Sequence, residues 1–414
     1  MKDDILLHLN NPAQLEKLYR TNKLPFEREF TQLYPQLKGN ALADFWHERL
    51  HYESEVINRG NRKELLFVLL GALVAGVLAK LPVLLGLDET SFYSRNAGFL
   101  LFPFLTAYFA WKNKVTAGKV VSIVASTLLG LLFINLLPDS PKSNTLILSC
   151  VHLLLFLWCV LGFAFVGSVQ NSREKRLQFL KYNGDLVVIT ALIALAGGIL
   201  TGITIALFSL IGFQIKEFWF EYIVVTGLPA APLFGTYLIQ SNPHLVGRVS
   251  PVIARVFSPL VFVMLVVYLL ALVYSGKNPY NDREFLLIFN ALLIGVMAII
   301  FFAVGETAQT TKNTPEVWVL FLLSLLTIVV NGVALSAIVL RTAEGGLTPN
   351  RAAVLGSNVL ILVNLLLVAV QLFHAVFRKG DLGNAGKVIA GYLPIYFAWT
   401  AVVTFLFPVL FNFQ

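Results

Sequence analysis

ELLFVLLGALVAGVLAKLPVLLG, Glu64 to Gly86, holds one acidic residue at its start, one lysine at position 80, and otherwise apolar or small side chains. A bilayer-crossing helix needs about 20 mostly apolar residues, and this run meets that length. Outward from it, the same pattern fills most of the chain. Of the 414 residues, 57% are hydrophobic and only 13% charged, with a mean hydropathy of +0.76. Soluble domains carry about 25% charged residues, so the composition points to an all-α, polytopic membrane bundle.

Eleven runs qualify as spans: Glu64–Gly86, Ser94–Trp111, Lys119–Leu137, Thr145–Val169, Asp185–Gly212, Phe218–Gln240, Ala254–Tyr274, Arg283–Gly305, Glu316–Leu340, Arg351–Val376 and Gly386–Phe411. With the amino terminus inside, 23 Lys and Arg residues fall on the inner side and seven on the outer. Cytoplasmic loops are the ones enriched in Lys and Arg. The expected orientation is therefore amino terminus cytoplasmic and carboxyl terminus external. The formal charge of +8 is read as topological, with no nucleic-acid partner. The opening MKDDILLHLNN has early acids and no sustained apolar stretch, so no cleavable leader is expected.

Residues 1–63 read as a cytoplasmic amphipathic helical region and 64–414 as the transmembrane domain. In NPAQLEKLYR, Asn11 suits an N-cap, Pro12 the first helical position and Gln14 a capping box. Leu15, Leu18 and Tyr19 share a face; Phe26, Phe30 and Leu33 form a second, and Leu42, Phe45, Trp46 and Leu50 a third. The last face, residues 42–50, is a candidate surface for a cytoplasmic protein partner. HERLH, His47 to His51, places two imidazoles on one helical face with Glu48 between them, the spacing of a zinc peptidase. No third ligand accompanies it, and the expectation is no metal and no cofactor. Cys150 and Cys159 are too far apart along one helix to bridge.

Ionisable residues within spans are functional candidates by default. Lys80 precedes Pro82 in the first span, Glu221 lies near the end of the sixth, Glu306 closes the eighth, and Asp185 opens the fifth, where a carboxylate suits the helix dipole. Backbone breaks are more telling. TGLPAAPLFG holds Gly227, Pro229, Pro232 and Gly235, and each proline removes a helical hydrogen bond that lipid cannot replace. Spans one and six are both interrupted, at Gly76 and Pro82 in one and at this cluster in the other. Paired interruptions point to a transporter's binding site. Asn290, Asn331, Asn364, Gln371 and His374 are polar groups that can line the same interior.

RTAEGGLTPNR, Arg341 to Arg351, reads as a tight helix-to-helix turn. Gly345 or Gly346 supplies a left-handed cap, Thr348 the next N-cap and Pro349 its first position. Arg351 then stands at a helix terminus that is already positive, on the external side. Arg341, Thr348 and Arg351 are therefore candidates for an anion or anionic lipid headgroup. GGLTPNR after RTAE resembles the signature of a bacterial multi-span membrane family known as domain of unknown function 4153, and NNPAQLEKLYR and FWHERL are similar to the lead-in of some members. Gly346, Leu347, Thr348 and Arg351 match that pattern, while Gly345 stands where an aromatic is expected. The resemblance implies a bacterial inner-membrane protein and supplies no catalytic residue.

The function expected is a permease or lipid-related transporter whose path runs by Lys80, Glu221 and the Gly/Pro cluster. The alternatives are a membrane sensor or scaffold acting through the amino-terminal helices and, remotely, a zinc peptidase.

Overall fold

The computed structural model describes residues 2–56, 62–138, 143–167, 172–210, 213–242, 258–267, 269–270, 274, 283–307, 314–378 and 380–413. Every regular element among them is helical. The chain divides into two compact units, Met1–Arg62 with Gln240–Asn242, and Lys63–Ile239 with Pro243–Gln414.

The first unit holds α1 (Lys2–Leu7), α2 (Pro12–Thr21), α3 (Lys23–Leu37) and α4 (Ala41–Val56). Asn11 Oδ1 accepts from the Gln14 amide at 3.3 Å, and Pro12 takes the first turn of α2, where its missing N–H costs no bond. The apolar faces converge on Trp46, whose ring lies 5.1 Å from Phe26 and 5.4 Å from Tyr19. Arg49 sits over Trp46 at 4.7 Å and also reaches Glu16 at 2.8 Å, closing α4 onto α2. Phe45 is left 58% exposed although its neighbour Trp46 is buried. The expected third face is thus split: Trp46 and Leu50 form core, Leu42 is half-buried, and Phe45 points out.

The second unit contains α5 (Arg62–Ala79), α6 (Leu81–Leu85), α7 (Glu89–Asn96), α8 (Phe102–Lys112), α9 (Ala117–Leu136), α10 (Asn144–Val166) and α11 (Ser172–Leu210). There follow α12 (Lys216–Ser241), α13 (Ser258–Val267), α14 (Arg283–Thr307), α15 (Thr314–Gly345), α16 (Pro349–Phe377) and α17 (Gly383–Leu410). Among the described residues, seven helices are long and apolar enough to cross a membrane: α9, α10, α11, α12, α15, α16 and α17. Two large apolar cores hold the unit together, beside a smaller cluster of Ala353, Val403 and Phe407. One joins α5 and α8 to α12, and the other joins α13 to α17, with Trp158 packed against both.

Two expected spans differ, and the seventh and eighth lie partly outside the described residues. The first stops at Ala79 and restarts at Leu81, because Pro82 cannot donate to the preceding turn. The second is α7, a 3-10 turn at Ala97–Leu100 and α8, with Pro103 at the entry to α8. The eighth is apolar over Phe289–Gly305, and the Glu306 side chain lies outside the described residues. Of the seventh, Ala254–Tyr274, the structure describes α13 with 269–270 and 274, and the rest lies outside. Asp185 does not open a helix. It is buried within α11, which begins at Ser172, so the dipole argument does not apply to it.

Prolines inside helices leave carbonyls four residues earlier without an amide, and neighbouring helices supply donors. Pro408 frees the carbonyl of Thr404, which accepts from Ser149 Oγ on α10 at 2.9 Å. Pro394 frees Ala390, which accepts from Arg176 Nη1 on α11 at 3.4 Å. Neither donor is signalled by local sequence. Both exist because apolar surroundings make an unmet carbonyl expensive.

Candidate functional site

The two interrupted helices α5 and α12 meet. Gly76 on α5 lies so close to α12 that a Cβ there would approach Thr226 Cβ to 3.2 Å. One turn further, at the break between α5 and α6, Lys80 extends toward α12. Its Nζ donates to the Glu221 carbonyl at 2.8 Å, pairs with Glu221 Oε1 at 3.2 Å, and lies 4.2 Å from the centre of the Tyr222 ring. Lys80 is 7% exposed, so it does not snorkel to water. Tyr93 closes the break on its other side by donating to the Ala79 carbonyl at 2.7 Å.

Glu221 and Tyr222 belong to a π-helical turn, Trp219–Val224. A wider turn shifts the amide-to-carbonyl pairing by one residue, and such turns recur at functional positions. Here the Glu221 carbonyl accepts from a lysine of another helix. The irregularity of α12 therefore sits before TGLPAAPLFG, and the Gly/Pro cluster itself stays helical over Val225–Ser241. That corrects the expectation of a helix broken at the prolines. The π turn lies one turn ahead of Pro229, which sits inside the regular helix. Gly235 is buried against α11, its missing Cβ 3.1 Å from Thr190 Oγ1, while Gly227 meets no atom within 4 Å. Pro229 and Pro232 are half-buried.

At the opposite end of α5, about 25 Å away by helical rise, a second polar cluster joins α5 to α8. Tyr108 donates to Glu64 Oε2 at 2.8 Å, and Lys112 pairs with the same oxygen at 3.2 Å. Each end of α5 is thus fixed to a neighbour by a lysine–glutamate pair, and the stretch between is apolar.

In the Arg341–Arg351 turn, Gly346 adopts φ +75° and Thr348 Oγ1 accepts from the Arg351 amide at 3.4 Å. Arg351 Nη1 donates to the Gly346 carbonyl at 2.7 Å. The arginine expected to repel its own helix end has a partner in the turn, the carbonyl of the residue that follows α15. Arg341 is half-buried near the end of α15 and Thr348 is exposed.

His47 stacks on Tyr34, ring centres 3.6 Å apart and planes 3° from parallel. The His51 side chain lies outside the described residues, and among those described no group of three His, Cys, Asp or Glu is placed to hold a metal ion. Asn331 and Asn364 are fully buried, Asn331 Nδ2 donating to the Asn358 carbonyl at 3.2 Å and Asn364 Nδ2 to Tyr396 at 3.0 Å. They bind α15, α16 and α17 to one another, away from the Lys80 cluster.

Arg95 went unnoticed in the sequence beyond its charge. It is 8% exposed and donates to the carbonyls of Ile134 and Leu137 at 2.8 and 2.9 Å, capping the end of α9. Partners about 40 positions away leave no local pattern to read. Comparison of the chain with protein-family models, curated proteins and solved structures finds no match.

Proposed function

We propose that the chain is a permease or lipid-related transporter of a bacterial inner membrane, with its amino terminus cytoplasmic, in which the Lys80–Glu221 pair latches α5 to α12. The observation that carries this reading is the meeting of two helix irregularities through a lysine with almost no exposure. A charge there is costly in apolar surroundings unless paired. One partner, Glu221, is 46% exposed, so the pair is not sealed within the bundle. Opening it would separate α5 from α12 along Gly76 and Gly71 and uncover Thr226 and Leu233, which pack against them. Eleven spans and the resemblance to the domain of unknown function 4153 family belong to the same proposal.

The test uses a background lacking Cys150 and Cys159, with a single cysteine introduced at Thr226 or Leu233, the α12 residues that α5 covers. A membrane-impermeant maleimide should label these positions faster when Lys80→Gln releases the latch. Equal labelling with and without Lys80→Gln would overturn it.

A scaffold reading is favoured by one separate observation, the exposure of Phe45 on the helix whose Trp46 and Leu50 are core. It predicts a cytoplasmic partner that Phe45→Ser fails to retain.

A further inference from the structure

Helices α9, α10, α11 and α17 border a half-open cavity of about 400 Å³, within the range of small-molecule sites. Its wall is divided by chemistry. Lys119, Ser122 and Ser126 line it from one face of α9, and Ser172 and Arg176 from the first two turns of α11. Trp158, Phe163, Pro394 and Phe397 supply aromatic and apolar surface, and among the described residues no carboxylate lines it.

Both cations are held in place with donors to spare. Lys119 Nζ gives one hydrogen to the Gly167 carbonyl at 2.5 Å and lies 5.5 Å from the Phe163 ring centre. Arg176 gives one to the Ala390 carbonyl that Pro394 leaves without an amide. An ammonium has three N–H groups and a guanidinium five, so each retains hydrogens for a ligand. Both residues also lie near helix N-termini, whose dipoles favour an anion. Ser126 lies about 10 Å further along α9 than Lys119, so the polar lining runs along α9 on the same cavity that the aromatic side chains line.

We propose that this cavity binds an anionic phospholipid, its phosphate between Lys119 and Arg176 and one acyl chain along Trp158, Phe163 and Phe397. Positive charge without a balancing carboxylate selects an anionic headgroup over a zwitterionic one. The apolar wall selects a lipid over free phosphate. The site is separate from the Lys80–Glu221 pair and stands or falls independently of it.

The test measures binding of short-chain phosphatidylglycerol, short-chain phosphatidylcholine and inorganic phosphate to the full chain in neutral detergent. Phosphatidylglycerol should bind at least about tenfold more tightly than phosphatidylcholine, and phosphate alone should not bind measurably. Lys119→Gln should weaken phosphatidylglycerol about tenfold, the loss of one charge-assisted contact. Ser126→Phe, which fills the cavity and leaves both cations, should abolish binding. Equal affinity for the two lipids, phosphatidylglycerol binding unchanged in both variants, or phosphate binding as tightly as the lipid would each overturn the assignment. Ser126→Phe and Lys119→Gln act by different means, so misfolding of one leaves the other decisive.

Discussion

Lys80 and Glu221 stand 141 positions apart, and the lysine ammonium contacts both the backbone carbonyl and the carboxylate of the same glutamate. One side chain therefore reads the π turn of α12 and its charge together. The pair is also asymmetric, since the lysine is buried and the glutamate is half-exposed.

That asymmetry orders the single variants. Glu221→Ala removes the carboxylate from a buried ammonium and should cost about 1–3 kcal/mol. Lys80→Met leaves a carboxylate that the protein does not enclose and should cost less. The reversed pair, Lys80→Glu with Glu221→Lys, should not recover stability, because a carboxylate at 80 would face the carbonyl of 221. Thermal unfolding in detergent compares the four proteins, and full recovery by the reversed pair would contradict the role of the carbonyl.

Ser149→Ala should leave the Thr404 carbonyl buried without a donor, at a cost of about 1–3 kcal/mol. Adding Pro408→Ala restores an amide four residues beyond Thr404. The double variant should then be more stable than Ser149→Ala alone; a further loss would show that the serine is not serving the proline's missing bond.

Glycines test close packing without charge. A Cβ at Gly356 would collide with the Trp399 ring, whose Nε1 donates to Ser357 at 2.9 Å and so resists displacement. Gly356→Ala should cost about 1–3 kcal/mol. Gly391, on α17, meets nothing within 4 Å, and Gly391→Ala should be neutral or stabilise by up to about 1 kcal/mol. Similar melting temperatures for the two variants would argue against the α16–α17 contact.

Acid should loosen the amino-terminal unit through Glu16. Arg20 beside it, and Arg49 with it, hold its carboxyl below the ordinary glutamate range. A depressed folded value gives stability present above the unfolded value of about 4.3, lost as pH falls through the folded value. Hydrogen exchange in α2 and α4 of the full chain should rise below about pH 4, and Glu16→Gln should flatten that dependence at a neutral-pH cost below about 1 kcal/mol. A profile unchanged by Glu16→Gln would place the acid sensitivity elsewhere.

Trp46→Ala should destabilise that unit by about 3–5 kcal/mol, whereas Phe45→Ser, one position away, should change stability by under about 0.5 kcal/mol. Proteolysis within residues 2–56 of the full chain reports the difference. Equal sensitivity would mean that Phe45 is covered.

The sequence by itself determined what local chemistry determines. Runs of apolar residues gave long helices, Asn11 and Thr348 gave caps, and Leu15, Tyr19, Phe26, Phe30 and Trp46 gave a core. It also marked α5 and α12 as interrupted and put Lys80 and Glu221 among the candidates. Tertiary structure decided the rest, because the deciding partners are distant along the chain. Only packing brings Lys80 to the π turn, Ser149 to the carbonyl freed by Pro408, and Arg176 to the one freed by Pro394. Only packing shows that Pro229 and Pro232 lie within a continuous helix while the irregularity falls one turn earlier. A proline announces that a hydrogen bond is missing; which neighbour replaces it depends on the helix that comes to lie beside it.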